Sequence, residues 1–446
     1  MILSFHDFGL LCVVFVTNGW GIRMAWKQYL AKGYLPPTII AHVGLIFYGA
    51  LPALFMFLAP ERSLEIFGRY NLNFTWRILA MFTVTSFGCL AATILVRPGQ
   101  IQPHLQLNLC KILYIVSGIG ALLLLWIYDR TWAQAGGLYG FIFSGESRME
   151  MSQYVFGKSI YSFFNYYVLF KIFFSILCIA IFSEIKVLGK IRLSGYIAIF
   201  VSSLFPLVNI IGGTRLIILH AFIIFLASAT LFSKLRINLR IVFIFLILFL
   251  SLNFIGNKRD ILRKCLADQQ LYYQALLKDA ITLSLIPSES FSGYIPAYII
   301  FASGEKKFIE PQYMKLMPRT VAKFLDLDKK EHFSKMLAIH GKYARNQTVF
   351  TVSLPVDAYF GLWRSFIMLA IYSFSVFAIF NWSARYLVRL NSINGWYLYL
   401  VLMGLVWVYI RYDVNRSFSR TWQTLLFSAP IIIFFWFRTN MSLIKK

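Results

Sequence analysis

Long apolar segments alternate with short polar loops along most of this chain. Eleven segments span about 20 residues each, the length that a helix needs to cross a hydrocarbon core of roughly 30 Å. The basic loops between them do not fit the repeating alternation of a transmembrane β-barrel. The pattern therefore predicts an all-α polytopic membrane protein. Its predicted spans are residues 8–26, 38–58, 76–96, 107–127, 160–182, 193–211, 215–233, 238–256, 356–380, 394–412 and 422–438.

One polar insert of nearly a hundred residues interrupts this pattern between the eighth and ninth spans. Connections of this length are usually functional. The insert contains an amphipathic stretch at residues 260–285 and an apolar patch at residues 298–301, so we expect a folded lid on the membrane surface. Most of its charges are expected to form a solvated face. The chain thus divides into helices 1–8 (1–256), a lid loop (257–355) and helices 9–11 (356–446).

Composition supports the membrane assignment. Hydrophobic residues make up 59% of the chain and aromatic residues 18%, well above the balance of soluble domains. The net charge of +25 lies in loops between spans, which favours anionic lipid or an anionic substrate over nucleic acid. Four of the five cysteines fall in apolar runs and Cys265 stands alone in the insert, so we expect no disulfide there. The first span has no basic leader or small-residue cleavage site, which predicts a retained helix.

The charges of the short loops predict the orientation. One set of alternate loops holds sixteen Lys and Arg residues against a single acid, Glu184, and we place this face in the cytoplasm. The insert then lies outside the cell membrane with fifteen cations and nine acids, which is compatible because long loops translocate largely regardless of charge. The outer face also carries arginines at short turns. The tendency of Lys and Arg to stay on the cytoplasmic side does not explain them.

The first such arginine is Arg215, which follows Gly212, Gly213 and Thr214 between the sixth and seventh spans. Two glycines and a hydroxyl allow the helices to break, and the N–H groups at a helix start favour anions. The alternative is a tight outward turn whose arginine reaches the membrane interface.

Three more arginines follow the tenth span: Arg411, Arg416 and Arg420. If the helix continued, Tyr409, Asp413 and the latter two arginines would share one face. The alternative for Asp413 is an ion pair with Arg416 that stabilises a helix end. Three cations against one acid leave an excess that a bound anion would neutralise.

Other chemical signatures are missing from the sequence. It has no Gly-rich nucleotide loop, no dinucleotide fingerprint, no paired-histidine zinc motif and no Gly-x-Ser-x-Gly elbow. Asp326 and Asp328 have the spacing of a metal box, but Lys329 and Lys330 follow them directly, which disfavours a cation. We expect neither a metal nor another cofactor. An arginine cluster without an energy source suits a substrate that carries its own leaving group.

Two local patterns resemble a known family. Gly212-Gly213-Thr214-Arg215 forms a short outer loop, and the segment from Leu354 to Leu362 gives an acidic, aromatic, glycine-ended entry into the next span. With about eleven spans and a large late outer loop, the chain resembles the Wzy-type repeat-unit polymerases of bacterial O-antigen and capsule assembly. In the related O-antigen ligases a histidine next to an asparagine stands just before this entry. Here Arg345-Asn346 occupy that place and the nearest histidine is His340, which favours the polymerase.

The resemblance implies a GT-C-like, metal-independent glycosyltransferase of the bacterial inner membrane whose site faces the periplasm. Its substrates would be glycans linked to undecaprenyl diphosphate, and a chain-length regulator and a flippase would share the membrane. Fixed guanidinium groups would stabilise the leaving diphosphate. The candidates for this clamp are Arg215, Arg411, Arg416 and Arg420, with Arg259, Arg263 and Arg345 from the lid.

A base must also deprotonate the acceptor hydroxyl. The candidates are Asp413, Asp357 and His340, in that order. Asp357 could instead be a helix N-cap, and His340 a solvated loop residue. The competing functions are an O-antigen ligase, which differs in its acceptor, and a flippase, whose halves usually repeat with short loops. A structural scaffold would leave the outward arginines without a purpose.

Overall fold

The computed structural model describes residues 4–58, 72–96, 107–133, 136–143, 166–211, 215–233, 294–302, 353–361, 364–411 and 414–444, with residues 60, 247 and 251. These ranges contain helices and no strand. The α-helices are α1 (Phe5–Lys32), α2 (Pro37–Leu45), α3 (Leu51–Leu58), α4 (Thr75–Leu95), α5 (Leu107–Thr131), α6 (Gly137–Phe143), α7 (Tyr166–Leu188), α8 (Leu193–Ile211), α9 (Arg215–Ser233), α10 (Tyr294–Ala302), α11 (Leu354–Gly361), α12 (Phe366–Arg389), α13 (Ile393–Arg411) and α14 (Val414–Ile444).

The predicted all-α membrane architecture is confirmed. Among the described residues, seven helices are long and apolar enough to cross a membrane. They are Phe5–Ala31, Pro37–Leu58, Thr75–Leu95, Leu109–Thr131, Tyr166–Leu188, Phe366–Arg389 and Ile393–Arg411. Two shorter apolar helices, Leu193–Asn209 and Ile217–Phe232, coincide with the sixth and seventh predicted spans. The eighth predicted span and the amphipathic stretch at 260–285 lie outside the described residues.

The ninth predicted span, residues 356–380, is wrong in its boundaries. The structure has a short helix, α11, followed by the spanning helix α12, which begins only at Phe366. Arg364 lies between them with a φ of 56°, an uncommon value for a residue with a side chain. Its N–H donates to the Tyr359 carbonyl at 3.0 Å, which closes the end of α11. The apolar pattern runs through this break, so hydropathy alone did not reveal it.

The chain forms two compact units, and the first contains residues 1–101, 287–389 and 405–422. Within it, α4 packs against α1, α2 and α12. Helix backbones approach closely where α4 carries Gly88: a Cβ there would lie 2.9 Å from the backbone nitrogen of Phe374 on α12. Small residues permit such packing in membrane proteins, where tight contact replaces the hydrophobic effect between helices.

A buried polar network crosses the first unit and centres on His42 of α2, which is fully buried. Its Nδ1 lies 2.8 Å from Oδ1 of Asn18 and its Nε2 lies 3.1 Å from Oγ1 of Thr93. Asn18 also donates to the Ser86 hydroxyl at 2.8 Å. Because the Asn18 oxygen can only accept, Nδ1 must carry the proton. The bonds join α1, α2 and α4 where no water is available to replace them.

We predict that Gly21→Ala destabilises the protein. A Cβ at Gly21 of α1 would lie 2.1 Å from Nε2 of His42, so either the ring or the helix must move and the network must break. Overpacking of this kind typically costs about 1 to 3 kcal/mol. Thermal unfolding in detergent measures the effect. Gly19→Ala is the matched control on the same helix, since a Cβ there has nothing within 4 Å; equal melting temperatures for the two variants would contradict the prediction.

The second predicted span contains a π-helical turn, Ile46–Ala50, that the sequence pattern did not indicate. It directly precedes Pro52, which has no N–H for a regular α turn and whose ring crowds the carbonyl four residues earlier. Helix α10 from the insert contacts this turn, because the Tyr294 hydroxyl donates to the Gly49 carbonyl at 2.6 Å. Tyr298 of the same helix lies 2.7 Å from the Thr75 hydroxyl. Burial raises the pKa of both tyrosines, so both hydroxyls keep their protons.

We therefore expect Tyr294→Phe to lower the free energy of unfolding by about 1 to 3 kcal/mol, because the Gly49 carbonyl would be left buried without this donor. Tyr196→Phe is the control: its ring is 58% exposed. The comparison is made by thermal unfolding in the same detergent. If the Tyr294 and Tyr196 variants unfold at the same temperature, the bond between α10 and the π-helical turn is not important for stability.

The second unit contains residues 102–286, 390–404 and 423–446. In it α5 packs against α7 and α8, and α7 packs against α9. An aromatic core includes Tyr128, whose ring meets Phe205 edge-on at 5.6 Å. Helix α7 ends six residues beyond the predicted fifth span, because the buried Glu184 accepts a hydrogen bond from the Tyr114 hydroxyl at 2.7 Å and pairs with Arg192 at 3.1 Å. A satisfied carboxylate can extend a membrane helix into its polar flank.

Candidate functional site

The candidate site lies in the first unit, on helices α11 to α14. Helix α13 is described to Arg411 and α14 from Val414. The Ser417 hydroxyl donates to the Val408 carbonyl at 3.3 Å, and the Thr421 hydroxyl donates to the Tyr409 hydroxyl at 3.2 Å. These bonds fix the end of α13 against the start of α14.

Asp357 enters this region from α11. Its carboxyl-bearing side chain is only 5% exposed. The alternative that Asp357 is the N-cap is wrong, because Ser353 precedes the helix and accepts the N–H groups of Val356 and Asp357 through its carbonyl. Asp357 instead lies in the first turn of α11, where the helix dipole favours a negative charge. A buried carboxyl in this position can hold a proton or accept one.

Two tyrosines share the surroundings of Asp357. Tyr372 lies on α12, which packs against α11, and Tyr409 lies on α13, which contacts α12 through Phe380. The Tyr372 hydroxyl is shielded from solvent and has no hydrogen-bond partner within the described part of the chain. The Tyr409 ring packs edge-on against Phe380 at 5.0 Å, which holds its hydroxyl in place. We call Asp357, Tyr372 and Tyr409 the Asp357 cluster.

Three arginines lie in the same unit as the Asp357 cluster, close to its residues or their partners in sequence. Arg411 lies two residues after Tyr409, and its Nε and Nη1 atoms are shielded from solvent. Arg420 directly precedes Thr421, which bonds to Tyr409, and it is partly exposed. Arg364 ends the connection that follows α11. An acid, phenol hydroxyls and guanidinium groups therefore belong to one set of neighbouring helices.

The predicted single face of Tyr409, Asp413, Arg416 and Arg420 is wrong as a helix face. The Ser417 hydroxyl lies 3.3 Å from the Val408 carbonyl, whereas one continuous helix would hold these residues about 13 Å apart, so 409 and 420 do not lie on one helix. Arg416 and Arg420 do share α14, four residues apart. Tyr409 meets that helix across the connection rather than along it.

The remaining predicted residues are placed as follows. Arg215 is the first residue of α9 and belongs to the second unit. Arg416 lies in the first turn of α14. The other predicted residues lie outside the described part of the chain: the base candidates Asp413 and His340 and the lid arginines Arg259, Arg263 and Arg345. The predicted Asp413–Arg416 ion pair falls there too.

Sequence reasoning missed several buried polar residues. Tyr372 gave no signal because a tyrosine in an apolar span is common. His42, Lys171 and His220 were also missed, although each is a titratable side chain inside an apolar helix and no more than 1% exposed. An ionisable residue within a span is itself a reason to suspect a functional site, and this signal was present in the sequence.

The comparisons with known proteins identify no relative. No protein-family model matches the chain, and searches of curated proteins and of solved structures gave no match. Within the described ranges, no group of three or more His, Cys, Asp or Glu side chains could hold a metal ion. Guanidinium groups bind phosphate oxygens, and a buried carboxylate can take a proton from a hydroxyl.

Proposed function

We propose that the protein is a membrane glycosyltransferase that polymerises oligosaccharide repeat units carried on undecaprenyl diphosphate. The single observation that carries this proposal is the buried carboxyl of Asp357 in the same unit as Arg411, whose guanidinium is partly shielded from solvent. Ionisable side chains of this kind are costly in a membrane helix bundle and are usually retained for function. The arrangement suits a reaction in which an anion leaves while a hydroxyl loses its proton.

The reaction balances without an external energy source. The acceptor hydroxyl oxygen attacks the anomeric carbon of the donor glycan, and the bond from that carbon to the diphosphate oxygen breaks. The leaving undecaprenyl diphosphate keeps the electron pair, and the hydroxyl proton passes to the Asp357 carboxylate. Arg411 and Arg420 stabilise the charge that develops on the diphosphate. The Tyr372 hydroxyl, which has no partner of its own among the described residues, can donate to a glycan or diphosphate oxygen.

The charge distribution supports a periplasmic site in a bacterial inner membrane. Sixteen cations in alternate short loops favour a cytoplasmic position for the opposite face. The donor would then arrive from a flippase in the same membrane, and a chain-length regulator would act on the product. The parts predicted for Arg215, Arg416 and the three lid arginines stay predictions.

The test is elongation by the purified protein in detergent. The protein is incubated with undecaprenyl-diphosphate-linked repeat units from its own host, and the glycans are separated on a gel. A ladder of longer chains, with free undecaprenyl diphosphate as the second product, is expected. A flippase would give no ladder, because its activity needs a bilayer with two sides, and a ligase would transfer glycan only when its distinct acceptor is added. A single unchanged band with folded protein would contradict the proposal.

A further inference from the structure

The exposed face of α1 combines lipid-facing and charged residues. Val16, Trp20 and Leu30 are 66%, 58% and 62% exposed on this apolar helix, as expected of side chains that contact acyl chains. Arg23 and Lys27 lie on the same side at helical spacing and are also exposed. Along this exposed stripe of α1, apolar side chains are thus followed by cationic ones toward the end of the helix.

This change falls where a membrane interface is expected. Helix α1 has 28 residues and is therefore about 42 Å long, which exceeds a hydrocarbon core of roughly 30 Å. Lys27 lies five residues before the last residue of α1, Lys32, and so about 8 Å from its end. Trp20 begins the cationic part of the stripe, and tryptophan is enriched at membrane interfaces.

A cleft opens beside these two cations. It has a volume of about 610 Å³ and is lined by Gly19, Trp20, Arg23, Met24 and Lys27. Gly19 borders open space on the α1 side, since a Cβ there would have nothing within 4 Å. The cleft therefore has cationic and aromatic lining residues and room beside the helix.

Within the described ranges, no neighbouring acid neutralises the charges of Arg23 and Lys27. Neither side chain has a hydrogen-bond or ion-pair partner among the residues that the structure describes. Asp7 is the only acid in residues 1–60, and it accepts hydrogen bonds from Ser4 at the opposite end of α1. Sixteen residues of helix separate it from Arg23, or about 24 Å. Two exposed cations at a lipid interface attract anionic headgroups.

We propose that this cleft binds one anionic phospholipid. The headgroup phosphate contacts Arg23 and Lys27, and an acyl chain lies along Trp20 and Val16. The site is separate from the Asp357 cluster and does not depend on the proposed glycosyl transfer. Its occupant is a bilayer lipid rather than free phosphate, because the cations continue an apolar stripe that only acyl chains would cover.

The experiment is native mass spectrometry of the full-length protein in a neutral detergent, titrated with phosphatidylglycerol or phosphatidylcholine. Wild-type protein is expected to bind phosphatidylglycerol in preference to phosphatidylcholine. The double variant Arg23→Gln/Lys27→Gln should bind phosphatidylglycerol about tenfold or more weakly, since each cation contributes several-fold. The control Lys111→Gln/Lys190→Gln removes two exposed cations outside the cleft and should bind as wild type does.

Gly19→Phe separates a shaped site from general charge attraction, because it fills the cleft and leaves both cations in place. We expect it also to weaken phosphatidylglycerol binding, whereas added inorganic phosphate should not compete with the lipid. Unchanged binding by Gly19→Phe, an equal loss in the two double variants, or displacement of the lipid by phosphate would each overturn the proposal.

Discussion

Arg411→Ala is expected to abolish the formation of long glycan chains while the protein still folds and inserts. Arg411 ends α13 two residues after Tyr409, and its Nε and Nη1 atoms are shielded from water. A guanidinium in such surroundings stabilises developing charge more strongly than one in water. Loss of one such donor typically slows a reaction by about 100-fold or more. Elongation of lipid-linked repeat units, measured as product per unit time on a gel, gives the size of the effect.

The matched control is Arg389→Ala. Arg389 is an exposed arginine at the last residue of α12, seventeen residues after Tyr372. The Arg389→Ala variant removes the same charge from the same unit, but at the far end of α12. Normal ladders from Arg411→Ala, or an equal loss in both variants, would show that Arg411 has no special part in the reaction. Arg411→Lys should recover only part of the rate, because an ammonium group cannot make the paired contacts of a guanidinium.

Asp357→Asn should reduce elongation by about 100-fold or more, since general base catalysis typically contributes a factor of this size. Asparagine keeps the shape of the side chain and the position in the first turn of α11, but it cannot take the proton of the acceptor hydroxyl. Binding of the lipid-linked donor should change much less than the rate. Measuring both quantities separates a loss of proton transfer from a loss of substrate binding.

Asp129→Asn serves as the control for this acid. Asp129 accepts the Leu138 N–H at 2.8 Å in the second unit, and an asparagine oxygen can replace that bond. The control should elongate chains at the wild-type rate. If Asp357→Asn elongates normally while Asp413→Asn does not, the base is Asp413 and the role assigned to Asp357 is wrong.

The spanning helices could be predicted because length and hydropathy are direct consequences of the bilayer as a solvent. Their ends were harder to predict. Glu184 should have ended a span, yet its bonds to Tyr114 and Arg192 keep it within α7. The break at Arg364 interrupts an apolar run and depends on backbone conformation rather than on hydropathy. The π-helical turn before Pro52 bonds to Tyr294, a residue that is distant in sequence, so no local pattern could indicate that contact.

The candidate site was predicted in part. Asp357 and Arg411 were identified from their residue types, because acids and arginines are uncommon inside membrane helices. Their grouping with Tyr372 depends on how α11, α12 and α13 pack, which no local pattern specifies. The predicted face across residues 409–420 failed for a related reason. Helical spacing in the sequence assumed one helix, but the chain begins a new helix at Val414.

The most direct measurement compares wild-type protein, Arg411→Ala and Arg389→Ala in one elongation assay in detergent. Each is supplied with undecaprenyl-diphosphate-linked repeat units, and both the glycan ladder and the released undecaprenyl diphosphate are quantified. We predict one released carrier per new glycosidic bond for wild type and Arg389→Ala, and neither product above background for Arg411→Ala. No ladder from folded wild-type protein, or equal ladders from all three proteins, would contradict glycosyl transfer at the Asp357 cluster.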